Sequence, residues 1–219
     1  MKKRNIVDDK FRSYSWVFFA QGYFNLAALA CQKLLNSEEK ARSKSDGLNI
    51  PYTPDSLFVP ILFNIKHGIE IFIKTVDSFA FGEYTDGHDI NDLFTELNKK
   101  IDKKRFVAPP PQFYNSITQR EINNLPQKLG EIKPLISYFY YLDILRPKVG
   151  QYYKIIDTKN DVLRYPDNKA GIQIDWNTVL ISQIRKSDIE EIFKKLRKLS
   201  ELFNDVACDV ARLTGQQKN

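Results

Sequence analysis

The stretch FVPILFNIKHGIEIFIKTVDSFAFGEYTDGHDINDL, Phe58 to Leu93, holds both histidines of the chain. A helical apolar pattern runs almost unbroken through the first of them. At about 100° per residue, Ile61, Leu62, Ile65, Ile69, Phe72, Ile73 and Val76 share one broad face of a helix. Opposite them lie Phe63, His67, Glu70, Ile71 and Lys74, with Asn64 at the margin. A helix apolar around most of its circumference belongs at the centre of a domain. Glu70 stands three residues from His67 and four from Lys74, close enough to bridge both. Polar groups buried without partners are costly, so this row must satisfy itself or a ligand. Two readings follow: a polar seam that fixes helix packing, or a ligand or catalytic site. Gly68 leaves room for another backbone or a ligand to come close.

His88 follows Gly87 and precedes Asp89. In the plainer reading Asp89 caps the next helix and His88 packs back against the bundle. In the functional one His88 meets the His67 row, because the connection from Ser78 to Gly87 is short. Two histidines near a carboxylate raise the question of a divalent cation. There is no His-x-x-x-His pair and no third obvious ligand, so neither metal nor cofactor is expected.

Outward from this stretch the pattern predicts more helices. The first runs from about Lys10 to Asn36, with Trp16, Phe19, Tyr23, Leu26, Ala27, Ala30 and Leu34 inward. The segment NSEEKARSKSDGLNIPYTPD breaks the period and reads as a mobile connection. The second helix begins near Pro60, since proline is tolerated in a first turn, and Asp55 or Ser56 leads into it. A third covers about Asp89 to Ile101 on the stripe Ile90, Leu93, Phe94, Leu97 and Ile101. The triple proline after it favours extended chain. A short helical segment is expected at Gln119–Asn124 and a longer one from about Pro134 to Leu145. The segment QYYKIIDTKNDVLRYPDNKAGIQIDW alternates like a small β-hairpin, about residues 151–175. In the last helix Ser187 and Glu190 suggest a capping box, and Ile189, Ile192, Phe193, Leu196, Leu199, Phe203, Val206 and Val210 form the apolar face. Glu190–Lys194 and Glu191–Lys195 add ion pairs at helical spacing. Gly215 is placed to stop it, with loose chain beyond. The expectation is one all-α domain over residues 1–219, an up-and-down helical bundle with a small β-hairpin insertion before the last helix.

The chain has 219 residues, 42% hydrophobic and 27% charged, with a net charge of +6. That is enough chain for a sizeable core, and the surplus permits contact with a polyanion without requiring it. Cys31 and Cys208 lie far apart inside helical patterns, which reads as reduced thiols in a cytoplasmic protein. Ser13–Gln32 carries no charge and follows a basic start. Yet Asp8, Asp9, Lys10 and Arg12 intervene, and Gln21, Gly22 and Asn25 interrupt the run, so a buried helix is expected rather than a signal peptide or membrane span.

Two further features bear on function. Five Lys or Arg residues between Lys99 and Arg105 form the densest basic cluster, a solvated surface or a phosphate contact. Arg164 and Tyr165, in LRYPDN, suit a phosphate contact with ring stacking, or a plain Arg–carboxylate pair with the tyrosine under Pro166. Phosphate-cradling Gly-rich loops, Gly-x-Ser-x-Gly elbows and zinc spacings are missing from the sequence.

FAQGYFNLAALACQKLL in the first helix, FNIKHGIEIFIK in the second, GHDINDL opening the next, and the later LRYP together resemble the HEPN-like helical families (higher eukaryotes and prokaryotes nucleotide-binding). The likeness touches about half of the chain and rests on order and spacing. It implies a helical bundle, often a homodimer with a cleft between protomers. It also implies metal-independent ribonuclease activity, nucleotide or RNA binding, or service as a cognate partner, in prokaryotic defence or toxin–antitoxin systems. The family's ribonuclease signature is an arginine followed four to six residues later by a histidine. This sequence lacks it, for neither His67 nor His88 has an arginine in that window. The resemblance therefore points first to a non-catalytic or divergent nucleotide- or RNA-binding or interaction module. His67, Glu70, Lys74 and His88 would line its site, with Arg164 and Tyr165 as contributors. The alternatives are a divergent ribonuclease using His67 and His88 as base and acid, and a purely structural interaction domain.

Overall fold

The computed structural model describes residues 6–36, 54–82, 85–103, 119–140 and 184–213. Among these residues all regular structure is helical: α1 Ile6–Asn36, α2 Pro54–Phe81, α3 Ile90–Asp102, α4 Gln119–Tyr140 and α5 Lys186–Leu213. The chain is thus an all-α bundle in its described part. The expected hairpin at about 151–175, with Arg164 and Tyr165, lies outside the described residues, as do the connection after α1, the triple proline and Gly215.

α2 is the central element and packs against each of the other four helices. Ile61, Leu62, Ile65, Ile69, Phe72, Ile73 and Val76 are all buried, as the apolar period predicts. The helix nevertheless begins at Pro54, six residues before the expected start, and Pro60 lies inside it. Either proline suits a first turn, and Pro54 takes that place. Pro60 has no N–H to give. Its own carbonyl accepts from the Asn64 side chain at 2.8 Å, and the burial of Phe58 with Ile61 and Leu62 carries the helix through.

α1 corrects the expected inward face. Ala20, Phe24, Ala27, Cys31 and Leu34 are buried, whereas Phe19 and Leu26 are exposed. Most positions from Trp16 to Leu35 are apolar or small, so several stripes fit the helical period. The small residues Ala20 and Ala27 win because they let α1 approach α2 closely. Gly68 marks the contact: a Cβ built on it would stand 2.6 Å from a carbon of the Phe24 ring. Phe24 in turn meets Phe203 of α5, and Phe203 stacks on Phe72 of α2 with centroids 3.8 Å apart.

α4 is one helix where two segments were expected, and it runs through Pro126 and Pro134. Leu125, Leu129, Ile132, Ile136 and Phe139 are buried at steps of four and three, and both prolines sit on the exposed side. A proline inside a helix costs about 3 kcal/mol, which a continuous buried stripe of five large side chains outweighs. α5 begins at Lys186, one residue before Ser187, and the acid closing its first turn is Asp188 rather than Glu190. The Asp188 carboxylate accepts from the Arg185 backbone N–H at 2.8 Å. The apolar face of α5 is buried as predicted, with Phe193 partly so. Lys195 lies 3.6 Å from Glu191.

Specific polar contacts tie the helices to one another. Asp209 of α5 is buried and accepts from Lys128 of α4 and from Arg212. Ser200 of α5 donates to Gln21 of α1 at 3.1 Å. Cys31 and Cys208 are free thiols, and burial pushes Cys31 up to about 12, well outside the reactive range. Among the described residues no helix is long and apolar enough to cross a membrane.

Candidate functional site

Glu70 is the hub of the polar row on α2. Its side chain is only 5% exposed, and Oε1 accepts from Lys74 Nζ and from His88 Nδ1, each at 2.9 Å. The first contact is the one that helical spacing requires. The second crosses 18 residues of chain and draws the start of α3 to the middle of α2. Oε2 is buried without a hydrogen-bond partner. His67 Nδ1 stands 3.7 Å from it, a distance for charge–dipole attraction rather than a hydrogen bond. Burial alone would raise the Glu70 carboxyl. The approach of His67, Lys74 and His88 outweighs it and holds the group down at about 2.

An ionised carboxylate only accepts, so the hydrogen shared with His88 belongs to Nδ1 of the imidazole. Nε2, on the opposite edge of the ring, is left for solvent or a ligand. The His88 side chain is 55% exposed. His67 is more enclosed. Its ring meets the edge of Tyr23 from α1 at 4.6 Å and stacks on Phe63 at 5.5 Å. The structure therefore brings His67, Glu70, Lys74 and His88 together.

The loop that carries His88 is pinned at both ends. Upstream, the buried Asp77 carboxylate accepts from the Thr85 N–H at 2.8 Å and from its hydroxyl at 2.9 Å. The same carboxylate takes Lys100 of α3 in a two-oxygen contact of 2.8 and 2.9 Å. Downstream, Asp89 caps α3 as predicted, Oδ1 accepting from the N–H groups of Asn91 and Asp92. Its second oxygen accepts from the Tyr140 hydroxyl of α4 at 3.0 Å. Between these anchors Gly87 adopts φ = 116°, a backbone state open to glycine and strained for other residues. That turn sets the His88 ring toward α2.

Asp77 was within reach of sequence reasoning. Positions 67, 70, 74 and 77 fall within about 80° of helix, so the polar row continues one step past Lys74. Tyr23, Thr85 and Tyr140 have no local signal, because only the packing of α1, the loop and α4 against α2 and α3 brings them in. The basic cluster is partly absorbed into structure: Lys100 serves Asp77, and Lys99 pairs with Glu96 at 2.6 Å. Lys104 and Arg105 lie outside the described residues, as do Arg164 and Tyr165. Among the described residues no group of three His, Cys, Asp or Glu side chains is arranged to hold a metal ion.

No family model, curated protein or solved structure matches this chain. Its chemistry must be read from its own geometry. The cluster offers an oriented imidazole edge at the surface, a second imidazole held between aromatic rings, and an ammonium group, all tied to one buried anion. Such an arrangement can donate to or accept from a phosphate, a ribose hydroxyl or a nucleobase edge. It can also hold one imidazole ready to take a proton.

Proposed function

We propose that this chain is a HEPN-like nucleotide- or RNA-binding module whose ligand contacts centre on His67, Glu70, Lys74 and His88, with Arg164 and Tyr165 as further contributors. The observation that carries the reading is the meeting of both histidines of the chain at one buried carboxylate, one ring enclosed and one open to solvent. A seam built only for packing has no use for an exposed ring fixed by three separate anchors at Asp77, Gly87 and Asp89. The positive net charge agrees with an anionic ligand. Fluorescence anisotropy with labelled single-stranded RNA and with ATP tests the proposal. Replacing His88 and Lys74 by alanine is expected to weaken binding by about tenfold or more, the effect of losing one or two polar contacts. Unchanged binding by folded His67→Ala, Lys74→Ala and His88→Ala proteins would overturn it.

A second reading, a metal-independent ribonuclease, is favoured by one specific contact. His88 gives its Nδ1 hydrogen to an ionised glutamate, the arrangement that orients an imidazole so that Nε2 can act as a base. A ribose 2′-hydroxyl would be its substrate group, with His67 as the acid. RNA cleavage that persists in EDTA and disappears in both His67→Ala and His88→Ala separates this activity from binding alone. The missing arginine–histidine signature places it second.

A further inference from the structure

We propose that His88 Nε2 holds an anionic oxygen of a phosphodiester, and that the protein takes up one proton each time this ligand binds. The step rests on the nucleotide- or RNA-binding function proposed for this site and narrows it. The part of the ligand held at His88 is the phosphate and not the base or the ribose. With 55% of its side chain exposed, the ring stands at the surface, where a polynucleotide backbone can pass. A base or a nucleoside is instead held in a concave pocket that buries most of it.

The hydrogen bonds at Glu70 dictate the proton. Oε1 accepts from Lys74 Nζ and from His88 Nδ1, each at 2.9 Å. Paired with an ammonium group, the carboxylate is ionised and only accepts, so the one hydrogen of a neutral His88 ring is committed to Nδ1. Nε2 then presents a lone pair. A phosphodiester oxygen is also an acceptor only, and two acceptors facing each other repel. The ring can hold that oxygen only after Nε2 has taken a proton from solvent and become a donor. A ribose hydroxyl or a base amino group would meet the lone pair directly and need no proton.

The charges around the ring make the same demand. Glu70 and Lys74 cancel each other. Asp86 and Asp89 flank the ring in sequence, Asp86 exposed and Asp89 engaged by the N–H groups of Asn91 and Asp92 and by the Tyr140 hydroxyl of α4. Asp77 is matched by Lys100 of α3, and Tyr23 of α1 lies against His67. With both imidazoles neutral the cluster has no surplus positive charge to offer an anion, and a proton on His88 supplies it. Glu70 is built to stabilise that charge. Its Oε2 is buried without a hydrogen-bond partner, so the carboxylate still has acceptor capacity beside the two rings.

Isothermal titration calorimetry of the full chain in buffers of different ionisation enthalpy counts the protons. The probe is oligouridylate without a terminal phosphate, used between about pH 6 and 8, where histidine is the side chain that ordinarily changes charge. The wild type is expected to take up a proton on binding, and its affinity to fall by as much as about tenfold per pH unit. Uridine, which has no phosphate, is expected to cause no uptake. His67→Ala should keep the pH slope. His88→Gln should lose it, because an amide donates without being protonated. Glu70→Gln offers His88 Nδ1 an N–H to accept from, so a neutral ring can carry its hydrogen on Nε2. Proton uptake should then vanish in a protein that circular dichroism shows to be folded, whereas a purely structural Glu70 would leave the proton count unchanged. RNA bound without proton uptake, a slope kept in His88→Gln or in folded Glu70→Gln, or equal uptake with uridine would overturn the inference and leave the binding function standing. Sulfate bound with proton uptake by a protein that binds neither RNA nor ATP would overturn the binding function alone. Failure of sulfate and RNA alike to bind at any pH would overturn both.

Discussion

Glu70 shows how much one residue can carry. Its carboxyl ordinarily titrates at 4.5 and is held here at about 2. The folded value lies below the unfolded one, so the stability it contributes is full above about pH 4.5 and is lost as pH falls toward 2. Half of His88 faces water, so screening trims the effect to about 2 kcal/mol at pH 7. Glu70→Gln should therefore unfold at lower urea than wild type at pH 7, and the two proteins should converge as the pH approaches 2. A constant gap across the acid range would show that Glu70 acts by packing alone. Gly68 is the other telling position. An alanine methyl there must displace the Phe24 ring, which is wedged against Phe203, at a cost of about 1–3 kcal/mol, while helix propensity returns at most about 1. Gly68→Ala should thus lower the melting temperature, read by circular dichroism. The row of His67, Glu70 and Lys74 was legible in the sequence because spacing along one helix fixes it. That Glu70 would also take His88 was not, since the closing contact depends on Asp77 gripping Thr85 and Lys100.

Whole elements were legible where polar and apolar residues separate cleanly. α3 and α5 have one apolar face each, and their buried residues fall where periodicity puts them. α1 is apolar nearly all round, so its period is degenerate and only contact with α2 chooses Ala20, Phe24 and Ala27 over Phe19 and Leu26. α4 defeats a local reading for the opposite reason: its two prolines argue for a break that the buried stripe from Leu125 to Phe139 overrides. That conflict is open to measurement. Pro126 and Pro134 are exposed and sit inside the helix, so alanine at either restores a backbone donor and removes a clash. Each change should stabilise the protein by about 1–3 kcal/mol in chemical denaturation, provided the helix has not bent to accommodate the ring. The strap between α2 and α3 predicts the reverse. Asp77→Ala leaves the Lys100 ammonium without its carboxylate and Thr85 without its acceptor. The loss should be about 3 kcal/mol, with faster amide exchange at residues 85–89.

At the scale of the molecule, one hydrophobic cluster draws on all five helices, and within it Phe24, Phe72 and Phe203 from α1, α2 and α5 meet ring to ring. The candidate site is bolted to the same framework. His67 and Glu70 ride on α2, Tyr23 on α1, and His88 on the loop that α3 and α4 hold in place through Lys100 and Tyr140. Damage at the aromatic junction must therefore reach the site through the helices. Phe203→Ala removes a large buried ring shared by three helices and should cost about 3–5 kcal/mol, a sizeable part of the roughly 5–15 kcal/mol that holds such a domain together. If the bundle unfolds as one unit, the loss of helicity by circular dichroism and the collapse of the folded His88 signal by NMR should share a single urea midpoint in wild type, and both should move down together in the variant. A His88 signal that melts first, with helicity retained, would make α3 and its loop a separately opening unit. The stability of the site would then be set by the Asp77 strap and not by the core.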